Sequence, residues 1–350
     1  MLTNLISGDR PRSLILTGLL LAILLCLALA PFLFPGVRSL ETAARICIFI
    51  VLVASYDLLL GYSGIVSFAH TMFFGLGAYG VALASVHMGR GYDALIVGTV
   101  SGAVASALLA LLIGLFSLRV RAIFFAMITL AVASAVAVLV SQLSGLTGGE
   151  DGLNYSIPRE LTPAFKLGSL FGVSITGKLL NYYLVFFASL ALFLLLLRIV
   201  NSPFGRVLQA IRENDFRAEA IGYRVVFYRT LATCLSAAVA AIAGSLFAIW
   251  LRYVGPDTTL SFEIMLDILL MVVIGGMGTM YGAVIGATIF VLAQNYLQNL
   301  MGVASGATEG LPLIPQLLDP DRWLLWLGVL FILSVYFFPT GIVGRLRSED

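Results

Sequence analysis

A chain of 350 residues with 60% hydrophobic and 11% charged side chains, and a mean hydropathy of +1.05, cannot cover a water-facing surface. Soluble domains carry about 25% charged residues. The small formal net charge of +2 comes without a basic stripe interleaved with aromatics, which argues against a nucleic-acid partner.

Apolar runs of the roughly 20 residues that a bilayer crossing needs recur along the chain. The expected fold is therefore an all-α polytopic membrane protein of about ten transmembrane or broken helices, one membrane domain over residues 1–350. In chain order the candidate spans are 14–34, 43–60, 65–88, 94–117, 122–143, 181–199, 230–251, 262–275, 279–300 and 323–338. Arg10 and Arg12 precede the first run, which is too long for a signal-peptide core and lacks a small-x-small cleavage site. It reads as a retained membrane helix. Cys26, Cys47 and Cys234 sit singly in apolar runs without CxxC spacing, so they read as apolar filler rather than as a disulfide framework or metal site.

The first polar interruption is Gly61-Tyr62-Ser63-Gly64, followed by Ser67, His70 and Thr71, then Gly75, Gly77 and Tyr79. Glycines and hydroxyls allow close approach of membrane helices, so tight packing is one reading. The other is a partly unwound, pore-lining helix, because ionisable groups such as His70 in a span usually face a cavity. Further on, residues 172–179 (Gly-Val-Ser-Ile-Thr-Gly-Lys-Leu) nearly spell a phosphate-binding loop. Leu179 stands where a magnesium-holding Ser or Thr is required, so this chain is not expected to bind ATP.

Between the sixth and seventh spans Arg198, Arg206, Arg212, Arg217, Arg224 and Arg229 cluster. Arg119 with Arg121, the N-terminal pair, and Arg345 with Arg347 fall on the same side if ten crossings leave both ends cytoplasmic. In this loop, 200–229, Pro203 stops the preceding helix and Gly205 is expected to loosen the chain after it. Asn214 or Asp215 can cap a short helix that runs to Ala220, and Gly222 can end it. A capped, charged helix with Phe216, Ala220 and Ile221 near one face fits a docking element, the alternative being a loop that only fixes topology.

The run 262–275 is short and carries Asp267, which predicts a broken or re-entrant segment. The pair Gly275-Gly276 reads as a hinge. Gly278, Gly282 and Gly286, four apart, are expected to form one helix-packing seam. Neither His70 nor His87 has a metal-ligand partner at helical spacing, and no catalytic motif appears.

The stretch from Gly61 to Tyr79, the loop around Ala218-Glu219-Ala220-Ile221-Gly222, and Gly275 to Gly286 together resemble the permeases of branched-chain amino acid ABC importers. The likeness is greater to the LivM-type subunit than to its LivH-type partner, and extends from about Glu41 to Gln298. The resemblance implies a second related permease, two ATP-binding subunits that hold ATP and magnesium, an external solute-binding protein, and an inner-membrane location. It also implies that Glu213, Asn214, Asp215, Glu219, Ala220 and Gly222 couple the chain to the ATPase. Ser67, His70, Tyr79 and Asp267 are the expected lining of the translocation path, with no catalytic residue or cofactor in this chain. Similar permeases serve urea and short amides, and an ion-coupled secondary transporter using Asp57, His70 and Asp267 is the alternative machine.

Overall fold

The computed structural model describes residues 13–33, 36–117, 122–170, 173–307, 319–338 and 340–348. Arg10, Arg12, Arg119 and Arg121 of the expected charge pattern lie outside these residues, as do the side chains of Arg345 and Arg347 and most of the Gly- and Pro-rich stretch before Asp321.

The described chain is almost wholly helical. Helix α1 is Leu14–Leu33, and α2 is Val37–Asp57 with a π-helical continuation, Leu58–Ser63. Then come α3 (His70–Met88), α4 (Tyr92–Ser117), α5 (Ala122–Gln142) and α6 (Gly177–Asn201). Two short helices, α7 (Pro203–Glu213) and α8 (Asp215–Ala220), precede α9 (Val225–Leu251). The series ends with α10 (Phe262–Gly275), α11 (Met280–Ala307), α12 (Trp323–Phe337) and α13 (Gly341–Ser348). Nine stretches among the described residues are long and apolar enough to cross a membrane. The expected tenth, 323–338, is α12, whose 15 residues span about 22 Å at 1.5 Å per residue.

Which side chains are left uncovered shows what surrounds the protein. Leu14, Val100, Leu108, Ile123 and Phe187 point outward from α1, α4, α5 and α6, as side chains do where the solvent is hydrocarbon. Helix α2 is the opposite case: from Ile46 to Tyr62 nearly every residue is buried, because α6, α9, α10 and α11 all pack around it. Helices α3, α4 and α9 form a second tight group. Their backbones approach so closely that a Cβ at Gly77 would fall 1.8 Å from the Ala241 carbonyl oxygen, and one at Gly244 would fall 1.9 Å from that of Phe74. For Gly77, close packing is thus the role the structure assigns.

Alternating helix directions bring the starts of α1 and α11 together with α13, through Leu16, Ile285 and Val343. Helices α7 and α8 lie at this same end of the bundle, called here the loop end. At the far end, β1 (Leu153–Asn154) pairs with β4 (Tyr253–Val254), and β2 (Lys166–Leu170) with β3 (Val173–Thr176), both antiparallel. The sequence that resembles a phosphate loop therefore passes from strand β3 straight into α6 at Gly177.

Candidate functional site

Two interruptions of the membrane helices meet near the loop end. The first follows α2. Its π-helical end closes at Gly64, which takes φ +70°, and the chain then runs without helix to His70. Polar side chains secure this stretch. The Ser67 hydroxyl accepts from the Ala69 amide at 3.3 Å, and the Phe68 amide donates to the Thr129 hydroxyl on α5 at 3.0 Å. His70 is fully buried, with Nε2 2.8 Å from the Ser55 hydroxyl and its ring edge-on to Tyr56 and Phe73. The Ser236 hydroxyl of α9 donates to the Ser55 carbonyl at 2.5 Å. Exposed amides at this depth would each cost several kcal/mol (about the price of an unmade hydrogen bond in hydrocarbon), and these side chains remove that cost.

The second interruption has two parts. After α9 the chain turns back into the bundle through one helical turn, Pro256–Thr259. Leu260 reaches Gly75 of α3, where an added Cβ would meet it at 2.3 Å. Gly75 lies about 20 Å along α3 from its far end, at 1.5 Å per residue. This turn satisfies itself: the Thr259 hydroxyl donates to the Gly255 carbonyl at 2.9 Å, and the Leu260 amide to that of Pro256 at 2.8 Å. Helix α10 then starts with Phe262 against Phe68, ring centroids 6.2 Å apart, and runs unbroken through Asp267 to Gly275. The segment 262–275 is thus one continuous helix, and the chain leaves the helix before it, between Leu251 and Phe262, apart from the single turn at Pro256–Thr259. A tight turn, Gly276 to Thr279, joins α10 to α11, with Gly276 at φ +116° and Gly278 at φ +81°.

The two interruptions are joined directly. Asp57 Oδ1 accepts from the Gly278 amide at 2.9 Å, and the Met280 amide donates to the Tyr62 hydroxyl at 3.3 Å. Arg212, near the end of α7, completes the junction. Its Nη1 donates to the Gly61 carbonyl, its stem packs on Gly64, and a Cβ at Gly278 would meet Nη1 at 2.6 Å. One arginine of the inter-helix loop thus touches both helix breaks.

Helix α8 is built as its sequence indicates. Asn214 Oδ1 accepts from the Arg217 amide at 2.8 Å, and Gly222 takes φ +98° after the last turn. Ala218 is buried with Ile211 and Val225, which holds α8 to α7 and the base of α9. Arg229 Nη1 lies 3.7 Å from Asp215 Oδ2. Glu213, Asp215, Glu219 and Ala220 are exposed, and so are Phe216 (82%) and Ile221 (70%). Phe216 on this charged six-residue helix and Ile221 just past its end are thus two large apolar side chains left uncovered side by side with exposed charge.

Two expectations need correction. Gly205 does not loosen the chain; it sits inside α7, where a Cβ would fall 1.9 Å from the Val200 carbonyl oxygen, while Pro203 starts α7 at its first turn. Gly278 does not belong to the seam of Gly282 and Gly286, because positive φ takes it out of the helix. The seam against α10 is made by Gly275, Gly282 and Gly286, with a Gly286 Cβ 2.0 Å from the Met271 carbonyl oxygen. The residues expected along the translocation path, Ser67, His70, Tyr79 and Asp267, lie apart within this one chain. Ser67 and His70 are sealed in the first break. Tyr79 packs among Ile249, Val254 and Leu260, about 13 Å along α3 from His70 at 1.5 Å per residue. Asp267 is half-buried on α10 beside Gln294 of α11. Arg212 was legible only as one positive charge among six; its acceptor, the Gly61 carbonyl, lies 151 residues away in sequence.

The profile of the family described as "Branched-chain amino acid transport system / permease component" matches residues 39–335. The chain belongs to that family. The permease is 26% identical over 349 residues to the high-affinity branched-chain amino acid transport system permease protein LivM of Salmonella typhimurium, covering 95% of this chain and 76% of that one. It is 27% identical over 252 residues to the probable LivM permease of Methanocaldococcus jannaschii, covering 71% and 67%. To LivH of Salmonella typhimurium it is 26% identical over 321 residues, covering 90% and 96%. No solved structure matches the permease.

Proposed function

We propose that the permease is one of two related membrane subunits of an ATP-driven importer for branched-chain or other hydrophobic amino acids. In this reading it lies in the inner membrane with the loop end and both termini in the cytoplasm. Two partner subunits bind ATP and magnesium, and an external protein delivers the solute. The observation that carries the proposal is the continuity from α8 through α7 and Arg212 into both helix breaks. A partner ATPase that grips Phe216, Ile221 and the Glu219 region moves α7 with it, since short packed helices shift as rigid bodies. Arg212 then draws on the Gly61 and Gly278 turns together. The breaks lie where α2 with α3, and α10 with α11, would change their angle, so the same motion opens or closes a path beside them. The clustering of arginines at the loop end supports the cytoplasmic assignment.

The test is ATP-driven uptake by the reconstituted complex carrying Glu219→Arg and Gly222→Pro. Pro fixes φ near −65°, against the +98° observed at Gly222, so α8 loses its terminator and its docking charge together. Uptake should fall to background while the permease stays in the membrane. Uptake at the wild-type rate would remove α8 from the coupling path, and accumulation driven by an ion gradient without ATP would overturn the importer reading.

A further inference from the structure

Helix α1 is held to the bundle at two levels and stands off between them. At the loop end Leu16 packs with Ile285 and Val343. Deeper in the membrane, Pro31 lacks the N–H that would have reached the Leu27 carbonyl one turn back. The Tyr182 hydroxyl of α6 donates to that carbonyl instead, and the Tyr183 hydroxyl donates to that of Ala28 at 3.1 Å. Tyr182 is fully buried, which roots this second clamp in the core.

Between the clamps lies a cleft of about 380 Å³, enclosed by α1, α2, α6 and α11. Its walls are mostly apolar, among them Leu20, Leu24, Ile50, Phe186, Phe193 and Val284. Leu21, Leu24 and Leu194 line it and are exposed, so the cleft opens sideways, where the solvent is hydrocarbon. From Thr17 to Leu27 it follows α1 for about 15 Å at 1.5 Å per residue. That is the depth of one leaflet, half of the roughly 30 Å hydrocarbon core, and the leaflet is that of the loop end, where α1 begins. An empty apolar cavity forfeits the contacts of its lining and destabilises in proportion to its volume. Water does not fill such a space, because a buried water needs polar partners. What lies within reach at this depth is lipid.

A charge stands at the mouth. Arg198 lies one turn beyond Leu194 on α6, toward the loop end, on the face that carries Leu190 and Leu194. It is exposed and, among the described residues, has no ion pair. We infer that the cleft binds one phospholipid of the loop-end leaflet, with an acyl chain between α1 and α6 and the phosphate against the Arg198 guanidinium. Guanidinium groups bind phosphate oxygens in paired, planar geometry. The acyl chain completes the packing of α1, which the two clamps leave open in the middle.

The test uses the permease extracted with its native partners and returned to nanodiscs that hold a phosphatidylglycerol with a diazirine in one acyl chain. Light cross-links the probe to the side chains it touches, and peptide mass spectrometry locates the sites. Label on residues 20–27 and 186–194 should saturate as the probe fraction rises, while label on the outward-facing stretch 100–108 of α4 rises in proportion. Leu24→Trp, which adds volume to the cleft from its own wall, should abolish the saturable label and leave that on α4 unchanged. Arg198→Ala should shift half-saturation about fivefold toward more probe, the equivalent of roughly 1 kcal/mol for a basic residue near the headgroups. If the tryptophan variant does not assemble, the Arg198 variant still decides. Label that rises in proportion at both places overturns the inference, since the cleft then only exchanges with bulk lipid. So does a cleft that stays unlabelled beside a labelled α4, because protein, such as a second permease, then covers it. Unchanged half-saturation in Arg198→Ala removes the phosphate contact, and the commitment to a phospholipid with it.

Discussion

The two helix interruptions do the same topological job by opposite means. Between Ser63 and His70 the backbone leaves the helix, and hydroxyls and an imidazole from α2, α3, α5 and α9 hold this region in place. Between Gly276 and Thr279 the departure is short; the Asp57 carboxylate and the Thr279 hydroxyl bond it, and otherwise backbone closes against backbone. An added carbon at Gly275 would lie 2.0 Å from the Gly282 carbonyl oxygen, and one at Gly341 would lie 2.2 Å from the Gly276 Cα. The first break spreads its restraint over several exchangeable bonds. The second depends on the absence of side chains, so it tolerates almost no added volume but turns easily once free to move. The two breaks are fastened to each other by Asp57 and Arg212.

The sharpest way to break this contrast is to add volume at the second interruption. Gly275→Val should prevent α10 and α11 from closing, at or above the upper end of the about 1–3 kcal/mol typical of overpacking. The measurement is the yield of monodisperse protein in mild detergent, and a near-total loss is expected. His70→Gln in the first interruption should cost only about 1 kcal/mol, the net value of one hydrogen bond, and leave the yield within a factor of two. Equal losses from both substitutions would erase the distinction drawn here.

The fastening between the breaks comes next in size. Arg212→Ala removes the contact with the Gly61 carbonyl and the packing on Gly64 without touching the exposed face of α8. ATP hydrolysis by the assembled complex should persist while uptake drops by about tenfold or more, if one charge-assisted bond of about 1.5–3 kcal/mol carries the coupling. Arg212→Lys should recover little, since a single ammonium on a flexible stem does not reproduce the rigid fork. Parallel loss of hydrolysis and uptake would assign Arg212 to assembly rather than to coupling.

Much of this arrangement is legible in the residues, and the rest fails for identifiable reasons. Bilayer crossings announce themselves through composition, since hydrocarbon selects apolar side chains whatever the fold; every expected span has a helix. Asn214 and Gly222 were readable because caps act within four residues of chain. The Gly278, Gly282, Gly286 series misled because equal spacing says nothing about φ, and one glycine of the three is spent on a turn. Gly205 misled because its role depends on the angle at which the chain bends at Ser202, which sets its backbone against the Val200 carbonyl of the preceding helix five residues earlier. Depth was also hidden: nothing in residues 256–260 tells that they return to the level of Gly75. The candidate coupling surface was therefore readable, while the link that joins it to the breaks was not.

The smallest expected effect bears on the readable part. Asn214 caps α8 through one bond, Oδ1 to the Arg217 amide at 2.8 Å, and loss of such a cap costs about 0.5–2 kcal/mol. In a six-residue helix that is enough to fray it, because isolated helices shorter than about 12 residues are marginal even with good sequences. The bundle does not feel this, since among the described residues of α8 only Ala218 is buried, against Ile211 and Val225. Asn214→Ala should leave the yield and thermal midpoint of the permease unchanged and lower ATP-driven uptake two- to fivefold, about what 0.5–1 kcal/mol of preorganisation is worth. Asn214→Asp, which keeps the acceptor and places a negative charge at a helix start, should restore it. Uptake that ignores both substitutions would mean that α8 takes its shape from whatever it docks against, and that the preformed cap is incidental to coupling.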